Sequence, residues 1–360
     1  MIEIDYINGL SVAETYGWAR YQSEICKRLT SVRLNRIEYH RLRTPFSSHS
    51  IPYQGHINRY AIYPVIIRKH VREGNIKHIT CQEFAYLLKL FEFDRAIVTC
   101  YDLIWYAYFG SRSFYWRQNI EGLTKADFII TISEFSKNEI IKYACCSASK
   151  IRVVNPGLDH SQFYVNRDKT ILDKYNIPQD QKIVLYVGSE QPRQNLPTLL
   201  RAFAKLKETL PGVKFIKIGN PQWKRAREKL LALVREFNLA DDVVFMQYVP
   251  EEELPLWYNC ADVFLYPCLY SGWSLPCVEA MACGTPVIAS NIPPLIEAVN
   301  DGGMFVDPSD VNALAASMYE VLTSTSLRQD MIDKGIKRAS TFSWEKTAAE
   351  TFRVYREVSV

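Results

Sequence analysis

The run "SGWSLPCVEA" at 271–280 places a loop directly before a helix start, with a single carboxylate, Glu279, one turn into that helix. A helix start offers free backbone N–H groups and about half a positive charge. An anionic group could therefore be held by Ser271, Gly272, Trp273, Ser274 and Leu275. Pro276 is a favoured first helical residue. Arg193, in "PRQN" at 192–195, adds a guanidinium that can grip an anion at two points. Asn195 is expected to cap the helix opening at Leu196-Pro197. The sequence contains no Asp-x-Asp motif, so the positive potential has to come from the chain itself, and no metal or cofactor is expected. Plainer roles exist for each group: a turn before a packed helix, an acid complementing the helix dipole, a surface arginine.

Strands alternating with helices position these residues. "IEIDYI" at 2–7, "IKHIT" at 76–80, "AIVTC" at 96–100, "DFIITI" at 127–132 and "KIRVV" at 150–154 read as strands. Helical spacing covers 15–29, 82–92 and 134–144, the last capped by Ser133. "NPGLDHSQF" at 155–163 breaks the pattern, and a polar stretch follows to Gln181. The rhythm restarts with strands at 182–188, 213–219, 243–246, 262–267 and "PVIAS", and with helices at 196–209, 222–238, 251–260, 308–323, 327–340 and 342–358. The expectation is two doubly wound α/β domains, 1–163 and 164–341, with a final helical segment, 342–360, and an active site in the cleft between the domains.

Composition sets the limits. The chain has 360 residues, 48% hydrophobic and 23% charged, which is globular and long enough for two domains. No run approaches the ~20 apolar residues of a membrane helix, and the N-terminus lacks a basic secretory region. A soluble, cytoplasmic protein is expected. Nine irregularly spaced cysteines without a Cys-x-x-Cys pair read as buried reduced thiols. Lys and Arg exceed Asp and Glu by about 21 to 15 in residues 1–163, against about 22 to 24 in the remainder. Much of the excess lies in 26–43. It is a solvated face or a surface for an anionic membrane or a phosphorylated acceptor. No nucleic-acid motif is present.

The chain resembles retaining glycosyltransferases of family 4, which have the GT-B fold of two Rossmann-like domains. "GWARY" at 17–21, "VTCYDLIW" at 98–105, "DFIITISEFSKNEI", "KIRVVNPGLDHSQF", "YVGSEQPRQNLPTLLRAF" at 186–203 and 270–290 carry the likeness along almost the whole length. The resemblance implies that a hexose passes from a nucleotide-diphosphate sugar to a glycan or lipid-linked acceptor. It implies diphosphate and sugar contacts from Gly188, Ser189, Arg193, Gln194 and the amides of 271–275, ribose contact from Glu279, and base contact near Gly219 and Tyr248. It implies catalytic roles for Tyr101, Asp102 and Arg193. It also implies acceptor contact from the loop 8–17, Gly17, Arg20 and the aromatic segment around Trp105, and a last helix crossing back onto the first domain.

Three positions depart from the family pattern: Tyr101 for histidine, Gln194 for lysine, and Ser271 for the first of two glutamates. Each lost charge-assisted contact is worth about 1.5–3 kcal/mol, or roughly one to two decades of rate. Retention without an obligatory nucleophile rests on positioning and leaving-group stabilisation, and such a site tolerates retuning. The alternative is a non-catalytic partner subunit or a sugar- or nucleotide-binding module. A dinucleotide-dependent oxidoreductase is disfavoured because no Gly-x-Gly-x-x-Gly follows an expected strand.

Overall fold

The computed structural model describes residues 1–8, 17–38 and 58–359. Most of the expected 8–17 loop and residues 39–43 of the basic stretch lie outside the described residues. The chain divides into two compact units, Met1–Gly157 with Trp344–Val360, and Leu158–Ser343. The division falls inside the break at 155–163.

The first unit is built on a six-stranded sheet in the order β2-β1-β3-β4-β5-β6. Its strands are β1 (Ile2–Asn8), β2 (Val32–Glu38), β3 (Ile76–Ile79), β4 (Ala96–Cys100), β5 (Phe128–Thr131) and β6 (Ile151–Val153). All neighbours run parallel. β3 and β4 are buried along their whole length, as strands covered on both faces must be. The sequence reading missed β2 because Arg33 and Arg36 interrupt its apolar pattern. Among the described residues β2 is an edge strand, paired to β1, and an edge tolerates charge. The expected helix at 82–92 is instead a 3-10 turn, Gln82–Phe84, and a single turn, Leu87–Leu90. Tertiary contacts override the local pattern there: the Tyr86 amide donates to Asn119 Oδ1 at 3.1 Å.

The helix Trp344–Ser359 completes this unit. Trp344 meets Tyr21 edge-on with centroids 6.1 Å apart. Thr347 Oγ1 donates to the Asn155 carbonyl at 2.8 Å. Tyr355 Oη lies 2.7 Å from Nδ1 of His78, whose Nε2 lies 2.8 Å from Thr99 Oγ1. His78 is thus the polar centre that joins β3, β4 and the last helix.

The second unit carries β7 (Lys182–Val187), β8 (Val213–Ile218), β9 (Val243–Phe245), β10 (Val263–Tyr266), β11 (Val287–Ser290) and β12 (Gly303–Val306). Their order is β12-β11-β10-β7-β8-β9, again all parallel. The chain winds outward from β7 through β8 and β9, then returns to the other side of β7 with β10. The reversal makes the carboxyl ends of β7 and β10 the switch point of the sheet, where open α/β sheets bind ligands. β12, short and opening on Gly303, carried too little apolar pattern to be read as a strand. Seven of the nine cysteines are buried and all are free thiols. Among the described residues no helix is long and apolar enough to cross a membrane.

Burial pulls the His78 imidazole pKa down to about 3, against about 6.5 in an unfolded chain. Between these values the unfolded state takes the proton and the folded state does not, so stability is lost as pH falls through that window. We expect the thermal midpoint to fall more steeply between about pH 7 and about pH 5 in the wild type than in His78→Gln, measured by circular dichroism.

Candidate functional site

Two loops meet at the switch point of the second unit. The loop after β7 runs through Gly188, Ser189 and Glu190 into a 3-10 turn, Pro192–Gln194. The loop after β10 runs from Pro267 to Ser274. Arg193 joins them twice: its carbonyl accepts the Leu269 amide at 2.7 Å and its Nη1 donates to the Tyr270 carbonyl at 3.1 Å. Nε donates to Gln191 Oε1 at 3.1 Å. The guanidinium is therefore held in a defined direction at the mouth of the sheet.

Asn195 corrects one expectation. It sits at the N-cap position but in the left-handed region, φ 57°, and its side chain accepts no helix amide, although its carbonyl accepts those of Thr198 and Leu199. Its Nδ2 donates to the carbonyls of Pro267 and Pro308, and its Oδ1 accepts the Thr198 hydroxyl at 2.7 Å. The left-handed backbone turns the side chain toward the neighbouring loops, where it supports the same junction.

The 271–280 stretch forms the helix Leu275–Ala282, with Ser274 as its N-cap. Ser274 Oγ accepts the Cys277 amide at 3.3 Å, and Pro276 occupies the first turn. Ser271 Oγ donates to the Trp273 carbonyl, so its hydroxyl is spent within the loop. Trp273 packs edge-on against Phe342, centroids 5.4 Å apart. Gly272 is buried with its neighbours and Leu275 is half-buried. Glu279 is 4% exposed, and its Oε2 accepts a hydrogen bond from Tyr258 Oη at 2.9 Å. Burial and the adjacent carboxylate push the Tyr258 phenol pKa well up, so that hydroxyl remains a donor to Glu279. Gln194 is buried beside Tyr266, and its Oε1 has no hydrogen-bond partner among the described residues.

The end of β8 contributes Gly219 at φ 118°, where a Cβ would lie 2.6 Å from the Gly188 carbonyl oxygen. Gly219 thus lets the turns after β7 and β8 touch, and Gly188, at φ 154°, leaves room for the Tyr186 hydroxyl. Tyr248, half exposed, accepts at Oη from Gln222 Nε2 at 2.9 Å.

The remaining expected residues belong to the first unit. Tyr101 is buried; its hydroxyl accepts from Gln22 Nε2 and lies 3.5 Å from the Trp18 carbonyl. Burial raises its pKa well above the phenol value. Asp102 accepts the Ile104 amide at 3.1 Å and so caps the turn that carries Trp105. Trp105 lies 4.9 Å from Phe109 and stacks on Trp116 at 6.5 Å. Gly17, exposed, and Arg20, half-buried, lie on the helix Gly17–Arg28.

Sequence reasoning missed Tyr258, and it missed Glu190, Lys217 and Arg227. A signal for the last group exists. Lys217 interrupts the apolar strand "VKFIKI", and a lysine inside a sheet covered on both faces requires a carboxylate.

Comparison with known proteins follows the same geometry. Residues 167–338 match the family model described as glycosyl transferases group 1. The chain is 36% identical over 241 residues to an O-antigen chain mannosyltransferase B of Escherichia coli, across 66% of this chain and 62% of that one. It is 33% identical over 227 residues to a D-inositol 3-phosphate glycosyltransferase of Mycolicibacterium smegmatis, across 62% and 51%. The chain thus spans between half and two thirds of these relatives' length. Over 99% of both chains it superposes on a sucrose-phosphate synthase of Thermosynechococcus elongatus with a TM-score of 0.83 at 24% identity. Over 99% of its own length and all of the other, it superposes on Anabaena HepE solved with UDP and glucose, TM-score 0.83 at 15% identity.

The contact between the turns after β7 and β8 is directly testable. Gly219→Ala places a Cβ against backbone at a positive φ, a strain of about 1–3 kcal/mol. We expect its urea unfolding midpoint to fall accordingly.

Proposed function

Residues 167–338 are a glycosyl transferases group 1 domain in a chain with the GT-B fold, and from that premise we propose that the protein is a retaining, metal-independent hexosyltransferase. It moves a hexose from a nucleotide-diphosphate sugar to a glycan or lipid-linked acceptor. The observation that carries this reading is the convergence at the switch point of Arg193, the capped helix start at Ser274 and the buried carboxylate of Glu279. Mannose is the favoured sugar, because the relative with 36% identity is a mannosyltransferase of O-antigen chains.

In this mechanism the diphosphate lies between the Arg193 guanidinium and the backbone amides of 271–275, at the start of the helix Leu275–Ala282. Those donors are preorganised, so they stabilise charge as it develops on the leaving group. Glu279 receives the ribose hydroxyls as a bidentate acceptor, fixed by Tyr258. Gly188 and Gly219 hold the turns after β7 and β8 together beneath the nucleotide, and Tyr248 borders the base. Attack by the acceptor on the face from which the diphosphate departs needs no enzyme nucleophile, so positioning carries the catalysis. In the first unit, Tyr101 and Asp102 shape the loop after β4, with Gly17, Arg20 and Trp105 on the acceptor side. The positive first half is suited to an anionic membrane surface carrying a lipid-linked acceptor.

The reading favours an active enzyme over a binding module because Arg193 and Glu279 are held in defined directions by their hydrogen bonds to Tyr270 and Tyr258. Thermal shift against GDP-mannose, UDP-glucose and ADP-glucose tests it: one of them raises the midpoint, as a ligand bound only to the native state must, and is slowly hydrolysed. No shift with any of the three, or binding without hydrolysis, refutes the enzyme. Glu279→Gln keeps an acceptor for Tyr258 while removing the charge. It is expected to weaken that donor by about tenfold, or ~1.4 kcal/mol, in isothermal titration with little change in melting midpoint.

A further inference from the structure

Beneath the turn after β7 lies a buried ionic cluster that the mechanism above does not use. Lys217, in β8, is wholly buried, and its Nζ lies 2.8 Å from Glu190 Oε1. The same ammonium donates to the carbonyl of Gly219. Arg227, in the first turn of the helix Ala226–Glu236, reaches the same oxygen of Glu190 through Nε at 2.8 Å and through Nη2. Its guanidinium rests on the ring of Phe245, 4.6 Å from the centroid. Glu190 Oε2 is buried without a hydrogen-bond partner among the described residues. One carboxylate oxygen thus serves two cations, and the cluster holds one positive charge in excess.

A wholly buried lysine is costly, because desolvation outweighs attraction unless the geometry is good. Apolar residues would pack β8 as well. The polar links here converge on one object, the turn 188–190. Lys217 pairs in register with Tyr186 of β7 and with Phe245 of β9, so the three side chains share a face. Tyr186 Oη donates to the Ser189 carbonyl at 3.1 Å, and Lys217 holds the Glu190 side chain. The Glu190 amide donates to the Pro221 carbonyl at 3.0 Å. That turn leads directly into Pro192–Gln194, which supplies one cation, Arg193, and one neutral amide, Gln194.

We propose that Lys217 is a positioning residue for the donor diphosphate, tying Glu190 to the Gly219 carbonyl so that the turn 188–194 presents Arg193, and supplying with Arg227 the positive potential that Gln194 does not. This rests on the nucleotide-sugar reading of the site. Burial draws the Lys217 pKa down to about 8, against the pull of Glu190 and helped by Arg227. The charged groups facing the ammonium are Glu190 from the turn after β7 and Arg227 from the helix after β8. Tyr186 and Phe245, on the flanking strands, bring no charge near neutral pH.

The test is isothermal titration of the full chain with GDP-mannose, UDP-glucose and ADP-glucose, comparing wild type with Lys217→Met, which keeps the length of the stem. The wild type binds one of the three, and its affinity falls by about tenfold from pH 7 to pH 9 as the ammonium is lost. Lys217→Met binds about tenfold more weakly at pH 7 and shows no such step. A purely structural lysine would change the melting midpoint without removing the step. Arg227→Gln, altered at a partly exposed residue, keeps the tie but moves the step to higher pH, since its charge no longer disfavours the ammonium; this arm decides the matter if Lys217→Met does not fold. Wild-type affinity in folded Lys217→Met, a parallel pH profile in both proteins, or an unmoved step in Arg227→Gln overturns the inference alone. Failure of the wild type to bind any of the three nucleotide sugars overturns the donor reading, and this inference with it.

Discussion

The second unit depends on how its sheet ends are fastened. β7 and β10 are adjacent in the sheet but far apart in sequence, and the loops leaving them diverge unless something holds them together. Arg193 does so with its backbone and its side chain at once, accepting from Leu269 and donating to Tyr270. Asn195, two residues on, adds a bond to Pro267. Because the junction is made by the residue that also offers a cation, the direction of that cation is fixed by the fold. A guanidinium on a free loop would lose rotamer entropy on binding an anion; one already bonded to a carbonyl has lost part of it on folding.

The first unit solves a different problem with similar means. Its central strands are buried on both faces, and several of the polar groups they carry are satisfied in closed sets. His78 bridges Thr99 and Tyr355. Asp5, fully buried in β1, accepts from Asn35 Nδ2 at 2.8 Å, from Asn75 Nδ2 at 2.9 Å and from the Arg72 amide at 2.7 Å. Each such set is expensive if one member is missing, so it specifies which segments pack together. That is how the last helix is joined to strands more than 250 residues earlier in the chain.

Much of this was legible in the sequence. The helices Glu134–Ala144 and Leu196–Thr209 have the bounds that their periodicity implies, and Ser133 caps the first as expected, because cap chemistry and apolar spacing agree there. The stretch 271–280 likewise announced a helix start with an acid inside it. What escaped were elements whose signal is tertiary. β2 has arginines where an edge permits them, and within 82–92 the Tyr86 amide goes to Asn119. Within the site, Tyr258 was invisible because nothing in an apolar helix says which hydroxyl will meet Glu279. The turn geometry of Asn195 was equally hidden, since the same residue type serves as a cap or as a left-handed corner.

The lysine in β8 marks the boundary between these two kinds of information. A single charged residue inside an apolar run says only that a counter-charge must exist; it does not say where. The sheet supplies the answer. β7 and β8 are neighbours in register, so the residue after the Gly188 turn and a residue of β8 lie at one strand end, and Glu190 meets Lys217 there. Parallel strands end together at one edge of the sheet, and the residues just past them come from distant parts of the chain. Polar groups placed there satisfy buried charge and shape the ligand-facing turns in the same act. For that reason the support of a site in such a fold is found one layer below its loops, in side chains that a ligand need not touch.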